Sequence, residues 1–236
     1  MTAEIKIHEA QAQILKTLLF KTEARFGQLN VTKLTTDHFT FHLKQLVKIG
    51  LVKKGENGKY CLTAKGKEFA NRFDTEKLAV EKQAKLTILI VAIKKQKGKI
   101  KFLTQIRLKQ PFYGYRAFVT GKIRWGEKVL ETAARELKEE TGLSGKLKFA
   151  GIEHKMDYDK DTKLMLEDKF FYIIKAIQTK GKLIKNFEGG KNSWLREKEI
   201  LADKKAFEDI PKIIEGLKTN QFFFIEDKYQ YSSKQY

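Results

Sequence analysis

The sequence predicts an α+β protein in two parts, a small helical unit with a β-hairpin and a larger unit in which short strands surround one strongly helical segment. Apolar residues recur at helical spacing through the first third of the chain. From Leu86 onward the pattern changes to short apolar runs separated by turn residues. Between the two, the chain is charged and lacks a clean apolar period, which marks a linker. Domains are therefore expected at residues 1–74 and 85–236, joined by residues 75–84.

With 236 residues, 42% hydrophobic and 33% charged, the chain can bury two cores and has the composition of a folded protein. Its longest apolar stretch, residues 86–93, reads as a buried strand far too short to span a bilayer. No membrane partner is expected. Residues 1–7 carry charges and no apolar signal core. Cys61 is the only cysteine, which excludes an intrachain disulfide and suits a reducing cytoplasm. The net charge of +19 admits two readings. Such a surface attracts phosphate backbones, but the excess is nearly all lysine, spread along the whole chain, and can equally serve solubility.

The elements follow in order. Ile7, Ala10, Ile14, Leu15, Leu18 and Leu19 share one helical face. A second short helix covers residues 26–29. Thr36 or Asp37 caps a third, whose buried stripe is Phe39, Leu43, Leu46 and Val47, and Gly50 stops it. Residues 51–54 and 59–62 form a hairpin across the turn 55–58, and Thr63 opens a last short helix ending near Phe73. In the second part, residues 86–94 and 100–107 pair across the turn at 96–98, and residues 148–154 and 169–177 are later strands. Asp209 caps an amphipathic helix with Pro211 in its first turn and Ile210, Ile213, Ile214 and Leu217 on one face. The run Phe222, Phe223, Phe224, Ile225 suggests a docked strand or a subunit contact.

The order helix, helix, helix, hairpin, with the stretches HLKQLVKIGLVKK and GKYCLTAKGKEF, resembles the winged helix-turn-helix domains of bacterial and archaeal regulators. In such domains the third helix enters the major groove and the hairpin lies along the backbone. The resemblance implies double-stranded DNA as a partner, with His38, Thr40, Lys44, Gln45 and Lys48 facing it and Lys53, Lys54 and Lys59 near phosphates. The same order also serves dimerisation or protein contacts, and a homodimer is expected.

The chemistry is concentrated in residues 121–143, GKIRWGEKVLETAARELKEETGL. Its middle is a helix with Val129, Ala133 and Leu137 on one stripe and Leu130 and Ala134 beside it. Glu136 and Glu140 are four apart and stack on one face, with Glu139 on the same flank. Three like charges so close destabilise a helix and raise one another's pKa unless something neutralises them. A hard divalent cation such as Mg²⁺ does so, taking carboxylate oxygens while keeping positions for water and phosphate. Spacing and charge therefore suggest phosphate chemistry. A solvated glutamate-rich surface helix is the plainer alternative.

The segment also resembles the signature of the Nudix hydrolases, G-x5-E-x7-R-E-U-x-E-E-x-G-U, where U is aliphatic. Gly121, Glu127, Arg135, Glu136, Leu137, Glu139, Glu140, Gly142 and Leu143 fill every specified place. With residue usage of roughly 5–10% at each fixed place, chance agreement in one window is on the order of one in a billion. The flanking order of strand, loop and helix extends the resemblance over residues 85–217. It implies an α/β/α sandwich with a mixed sheet and hydrolysis of a diphosphate bridge.

The family further implies that Glu136, Glu139 and Glu140 hold Mg²⁺, or Mn²⁺ in its place, and that one of them, or a water they orient, is the general base. Arg135 and Glu127 would brace the loop against the helix. Gly121 and Gly142 would supply backbone freedom. Where many relatives have a glycine whose carbonyl holds metal, this chain has Thr120. A later acid shortly before a tryptophan is matched by Glu188, ahead of Trp194, while Ser193 stands where some relatives carry acid. Arg107 sits where relatives contact phosphates, and Phe112, Tyr113 and Tyr115 are candidates to stack on a base.

Two functions are expected: a metal-dependent pyrophosphohydrolase acting on a nucleotide sugar, ADP-ribose or a nucleoside-triphosphate-like substrate, or a transcription regulator whose second domain senses a nucleotide metabolite. A third treats the first domain only as a dimerisation unit. His38 and His42 lack partners for a zinc site. There is no G-x4-G-K-[ST] phosphate loop or Gly-x-Ser-x-Gly elbow, and Gly189-Gly190 reads as a turn.

Overall fold

The computed structural model describes residues 7–31, 33–80 and 82–236, so most of the charged amino-terminal stretch lies outside the described residues. The chain divides into two compact units, Met1–Lys82 and Gln83–Tyr236.

The first unit runs α1 (Glu9–Phe20), α2 (Phe26–Leu29), α3 (Thr36–Lys48), β1 (Val52–Lys54), β2 (Tyr60–Leu62), α4 (Ala64–Ala70), β3 (Phe73–Asp74) and β4 (Ala79–Val80). Ile14, Leu15, Phe39, Leu46 and Leu51 close its core. His8 caps α1 through a bond from Ala10 N–H to its ring, and Thr63 caps α4 by accepting from Gly66 N–H. Gly50, at φ +75°, ends α3 in the left-handed conformation that glycine adopts freely. Strands β1 and β2 pair antiparallel from Val52↔Leu62 to Lys54↔Tyr60.

Four expectations need correction here. The cap position of α3 is Thr35, ahead of Thr36 and Asp37, and it makes no side-chain capping bond. Val47 is exposed, because the buried stripe of α3 is Phe39, Leu43 and Leu46 alone. The last helix ends at Ala70, and Phe73 pairs with Val80 across a small hairpin. The charged stretch is thus not a bare linker throughout. Asp74 Oδ1 accepts from the backbone of Glu76 and Lys77 and closes that turn, a local bond invisible to apolar periodicity.

The second unit contains β5 (Lys85–Gln96), β6 (Lys99–Arg107), β7 (Arg116–Ala117), β8 (Val119–Lys122), α5 (Val129–Thr141), β9 (Ser144–Asp159), β10 (Met165–Lys180), β11 (Asn186–Phe187), β12 (Gly190–Leu195), α6 (Glu197–Leu201), α7 (Ile210–Lys218) and β13 (Phe223–Tyr231). Its sheet has the order β11-β12-β6-β5-β10-β9-β13, with β7 on β6 and β8 on β5. Strand β10 runs parallel to β5 and β13 parallel to β9, and the other pairs are antiparallel, which makes the sheet mixed.

Alternation along β5 explains the layering. Ile88 and Ile90 pack with Ala133 and Leu137 of α5, whereas Leu89 and Val91 pack with Ile213, Ile214 and Leu217 of α7. The sheet is therefore covered on both faces. Leu130, expected beside the buried stripe of α5, is exposed. Asp209 stands at the cap position of α7 but makes no capping bond, because its carboxylate is taken by Lys155. The Phe222–Ile225 run supplies the start of β13, docked along β9 from Phe223↔Gly151 to Tyr231↔Asp159. Among the described residues no helix is long and apolar enough to cross a membrane.

On the face of β9 and β13 away from α7, His154 bridges three strands. One ring nitrogen lies 2.9 Å from Asp168 on β10 and the other 2.8 Å from Glu226 on β13, and the ring stacks on Phe170 at 4.1 Å. Burial opposes its charge, but the hydrogen bonds to the two carboxylates outweigh that and hold the imidazole above its ordinary value. A raised folded-state pKa contributes stability below the unfolded value, and that contribution is lost as pH rises through the folded one. The urea midpoint of wild type should therefore exceed that of His154→Gln most below pH 6.5 and converge toward it at higher pH. A difference that does not change with pH would contradict this bridge.

Candidate active site

Helix α5 enters the site because Ala133 and Leu137 anchor one face in the core and leave the glutamates on the other. Gly142 ends it at φ +73°. A Cβ there would come within 2.6 Å of the Lys182 carbonyl, so glycine is required twice over. Gly121, on β8, has a different constraint. A Cβ at that position would lie 2.2 Å from Glu136 Cγ, so the missing side chain is the space that Glu136 occupies.

Arg135 organises the acidic face. Its Nε and Nη2 donate to the two oxygens of Glu127 at 2.7 and 2.8 Å, a bidentate pair that ties the loop before α5 to the helix. Its Nη1 reaches Glu136 at 2.6 Å and Glu139 at 3.2 Å. The Arg135 bonds hold the Glu127 carboxyl down at about 2, and the same contacts push the guanidinium pKa up.

Glu136 and Glu140 line one cavity of about 550 Å³, together with Thr120, Arg107 and Lys109. That volume is in the range of small-molecule sites. Burial raises the pKa of Glu140, the Gln105 amide that donates to it at 2.9 Å works the other way, and Glu136 adds to the rise. Burial likewise lowers the pKa of Arg107, against the pull of Glu140 and Glu167. Its Nε is fixed by the Pro111 carbonyl at 3.1 Å.

Among the described residues, no three acidic, histidine or cysteine side chains converge closely enough to hold a metal as they stand. Glu139 accounts for this, since it is half in solvent and turned to Arg135. The chemistry of the site nonetheless fits a hard divalent cation. Its donors are all oxygens, and Glu140 is a desolvated carboxylate that accepts a hydrogen bond from the neutral Gln105 amide.

The other expected site residues divide. Glu188 is exposed on the turn between β11 and β12 and does not line the cavity, because that turn sits at the edge of the sheet. Tyr113 is exposed and outside the lining. Tyr115 is buried in a cluster with Phe112, Tyr229 and Tyr231, and its hydroxyl accepts from Gln235 at 2.6 Å, so neither tyrosine lies ready to stack on a base. Phe112 does line the cavity.

Sequence reasoning missed Lys85, Lys155, Glu167, Lys169 and Asp209, all lining residues. The available signal was the alternation Glu153, Lys155, Asp157 along a strand, with charges at positions where buried side chains belong. In the first unit, His38, Lys44 and Lys48 are exposed on α3, Thr40 and Gln45 are half-buried, and Lys53 and Lys54 are exposed on β1. Lys59 is held in an ion pair by Glu23.

The profile of the NUDIX domain matches residues 84–217, more than half of the chain. The chain belongs to the Nudix family. Membership makes it a hydrolase of phosphorus-containing anhydrides, in a family that generally uses divalent metals. The Nudix domain of Shewanella oneidensis NrtR, solved in cocrystals with ADP ribose, superposes with a TM-score of 0.50 at 19% identity, covering 67% of this chain and 98% of that one. The MutT protein of Bacillus halodurans gives 0.48 at 19% identity over 64% and 93% of the two chains. The likeness to the NrtR domain is one of fold. No curated protein matches the chain by sequence.

Proposed function

We propose that the Nudix unit hydrolyses a diphosphate bridge in a nucleotide-like substrate, using Mg²⁺, or Mn²⁺ in its place, held by Glu136, Glu139, Glu140 and the Thr120 carbonyl. The observation that carries this reading is the shared cavity, in which Glu136 and Glu140 face the cationic side chains of Arg107 and Lys109. A bound divalent ion would offset phosphate charge and acidify a coordinated water. The protein's own groups do the rest. Arg107 and Lys109 bind phosphate oxygens and balance the charge that builds as water attacks one phosphorus and the bond to the bridging oxygen breaks. Arg135 positions Glu136 and, through Glu127, the loop that precedes it. Closing Glu139 onto a cation exchanges one positive partner for another.

The test is turnover with Mg²⁺ on a panel of ADP-ribose, nucleotide sugars, dinucleoside polyphosphates and oxidised nucleoside triphosphates. Glu139→Gln and Glu140→Gln should each lose at least about a hundredfold in kcat. Full activity in both variants would refute the metal assignment.

A second reading, a regulator that senses its ligand through the Nudix unit, is favoured by a specific observation in the first unit. Exposed His38, Lys44 and Lys48 on α3, with Lys53 and Lys54 on β1, are the groups a winged helix-turn-helix domain at residues 1–74 would present to DNA. Such a chain would act as a homodimer on paired half-sites. Binding to a specific duplex should weaken with salt, and Lys53→Ala and Lys54→Ala should each reduce the salt slope by about one. Equal affinity for every sequence would count against regulation.

A further inference from the structure

The cavity that holds Glu136 and Glu140 has a second group of lining residues that are almost wholly buried and that phosphate chemistry does not require. Lys155 and Asp209 are 2% and 4% exposed, and the ammonium donates to Asp209 Oδ2 at 2.5 Å. The Phe207 and Tyr229 rings lie 4.3 and 4.7 Å from the nitrogen. A buried ion pair is a poor stability device, because desolvating two charges offsets most of their attraction. This one sits in a cavity wall with hydrogen-bonding capacity to spare. Asp209 makes no capping bond to α7, and its second oxygen receives no hydrogen bond among the described residues. The ammonium has three donors, of which one goes to Asp209 and another is directed to the Tyr231 hydroxyl.

The pair carries no net charge, so it does not duplicate the phosphate-binding cations at Arg107 and Lys109. It presents one acceptor beside donors, among the aromatic side chains of Phe112, Phe171 and Phe207. A planar nitrogen heterocycle matches both features at once, an apolar body among aromatic side chains and an edge that offers an N–H next to a ring nitrogen or carbonyl oxygen. We propose that Lys155 and Asp209 read the heterocyclic base of the substrate, Asp209 accepting from a ring N–H or amino group and Lys155 donating to the neighbouring nitrogen or oxygen. This rests on the nucleotide-like substrate of the preceding section.

The wall is held by residues beyond the family-matched span of 84–217. Tyr229 and Tyr231 on β13 pack around Lys155. Tyr236 donates its hydroxyl to Glu167 at 2.8 Å and accepts from the Phe112 N–H at 3.2 Å, which fixes two more lining residues. The C-terminal strand β13 and Tyr236 beyond it thus border the subsite.

The test is calorimetric titration of the full chain with ADP, GDP, CDP and UDP in EDTA, which separates recognition from turnover. One base should bind at least about tenfold more tightly than the weakest, because a site with paired polar groups rejects an edge that leaves them unpaired. Asp209→Asn should reorder the four. Because that variant leaves Lys155 without its counter-charge, the volume-matched double variant Lys155→Met/Asp209→Leu is the second arm, and its loss of the pair should level the ranking while the protein stays folded. Equal affinities in wild type, or an unchanged ranking in the double variant, would overturn the proposal. Failure of the hydrolase reading would appear elsewhere, as no turnover of any diphosphate with Mg²⁺.

Discussion

Arg135 spends its guanidinium on three carboxylates, and the geometry of the acidic face depends on that sharing. Glu136, Glu139 and Glu140 fall within little more than one helical turn, where like charges repel. One fixed fork of donors offsets that repulsion at Glu136 and Glu139, and its remaining edge grips Glu127 and so fastens the loop that leads into α5. A lysine at 135 would supply the charge without the fork and could not hold loop and helix together. Glu140, beyond the reach of Arg135, depends on Gln105, and it is the desolvated member of the set.

A second constraint follows from the sheet. A strand covered on both faces is ordinarily apolar, yet β9 turns Glu153, Lys155, Asp157 and Asp159 inward in strict alternation. Lys169 lies 3.0 Å from Asp157, and Lys155 pairs with Asp209, so the charges are balanced side by side rather than removed. The Glu153 carboxyl, which meets no hydrogen-bond partner among the described residues, has its pKa pushed well up by burial and by the nearby Asp209. Such a core is costly for stability. Of these four β9 residues only Lys155 lines the cavity, with its partner Asp209 beside it.

Much of the fold was legible because it rests on local signals. Gly50 ends its helix at the position the sequence indicated, the stripe of α7 is buried as read, and that of α1 is buried at Ala10, Ile14, Leu15 and Leu18, with Ile7 and Leu19 half-buried at its ends. The acidic segment was legible for another reason, since spacing on one helix puts Glu136, Glu139 and Glu140 on one flank, while the pairing of Arg135 with Glu127 came from the family resemblance. What was hidden depends on pairing across the sheet. Tyr115 looked available for stacking until β13 and residues 232–236 closed over it. Lys155 and Asp209 are far apart in sequence and meet only because α7 begins over β9. Asp209 was read as a cap because its position is that of a cap, and only the buried lysine shows why its carboxylate turns elsewhere.

The central claim is that the carboxylates of α5 bind a divalent cation beside the phosphate-binding cations of the same cavity. Electron paramagnetic resonance of Mn²⁺ titrated into the purified chain measures this directly, because the signal of the free ion fades on binding. Wild type should remove the free signal and release the ion to excess Mg²⁺, while a Glu136→Gln/Glu140→Gln double variant that remains folded should leave the signal of free Mn²⁺ intact. Equal uptake by both proteins, or none by wild type, would contradict the account.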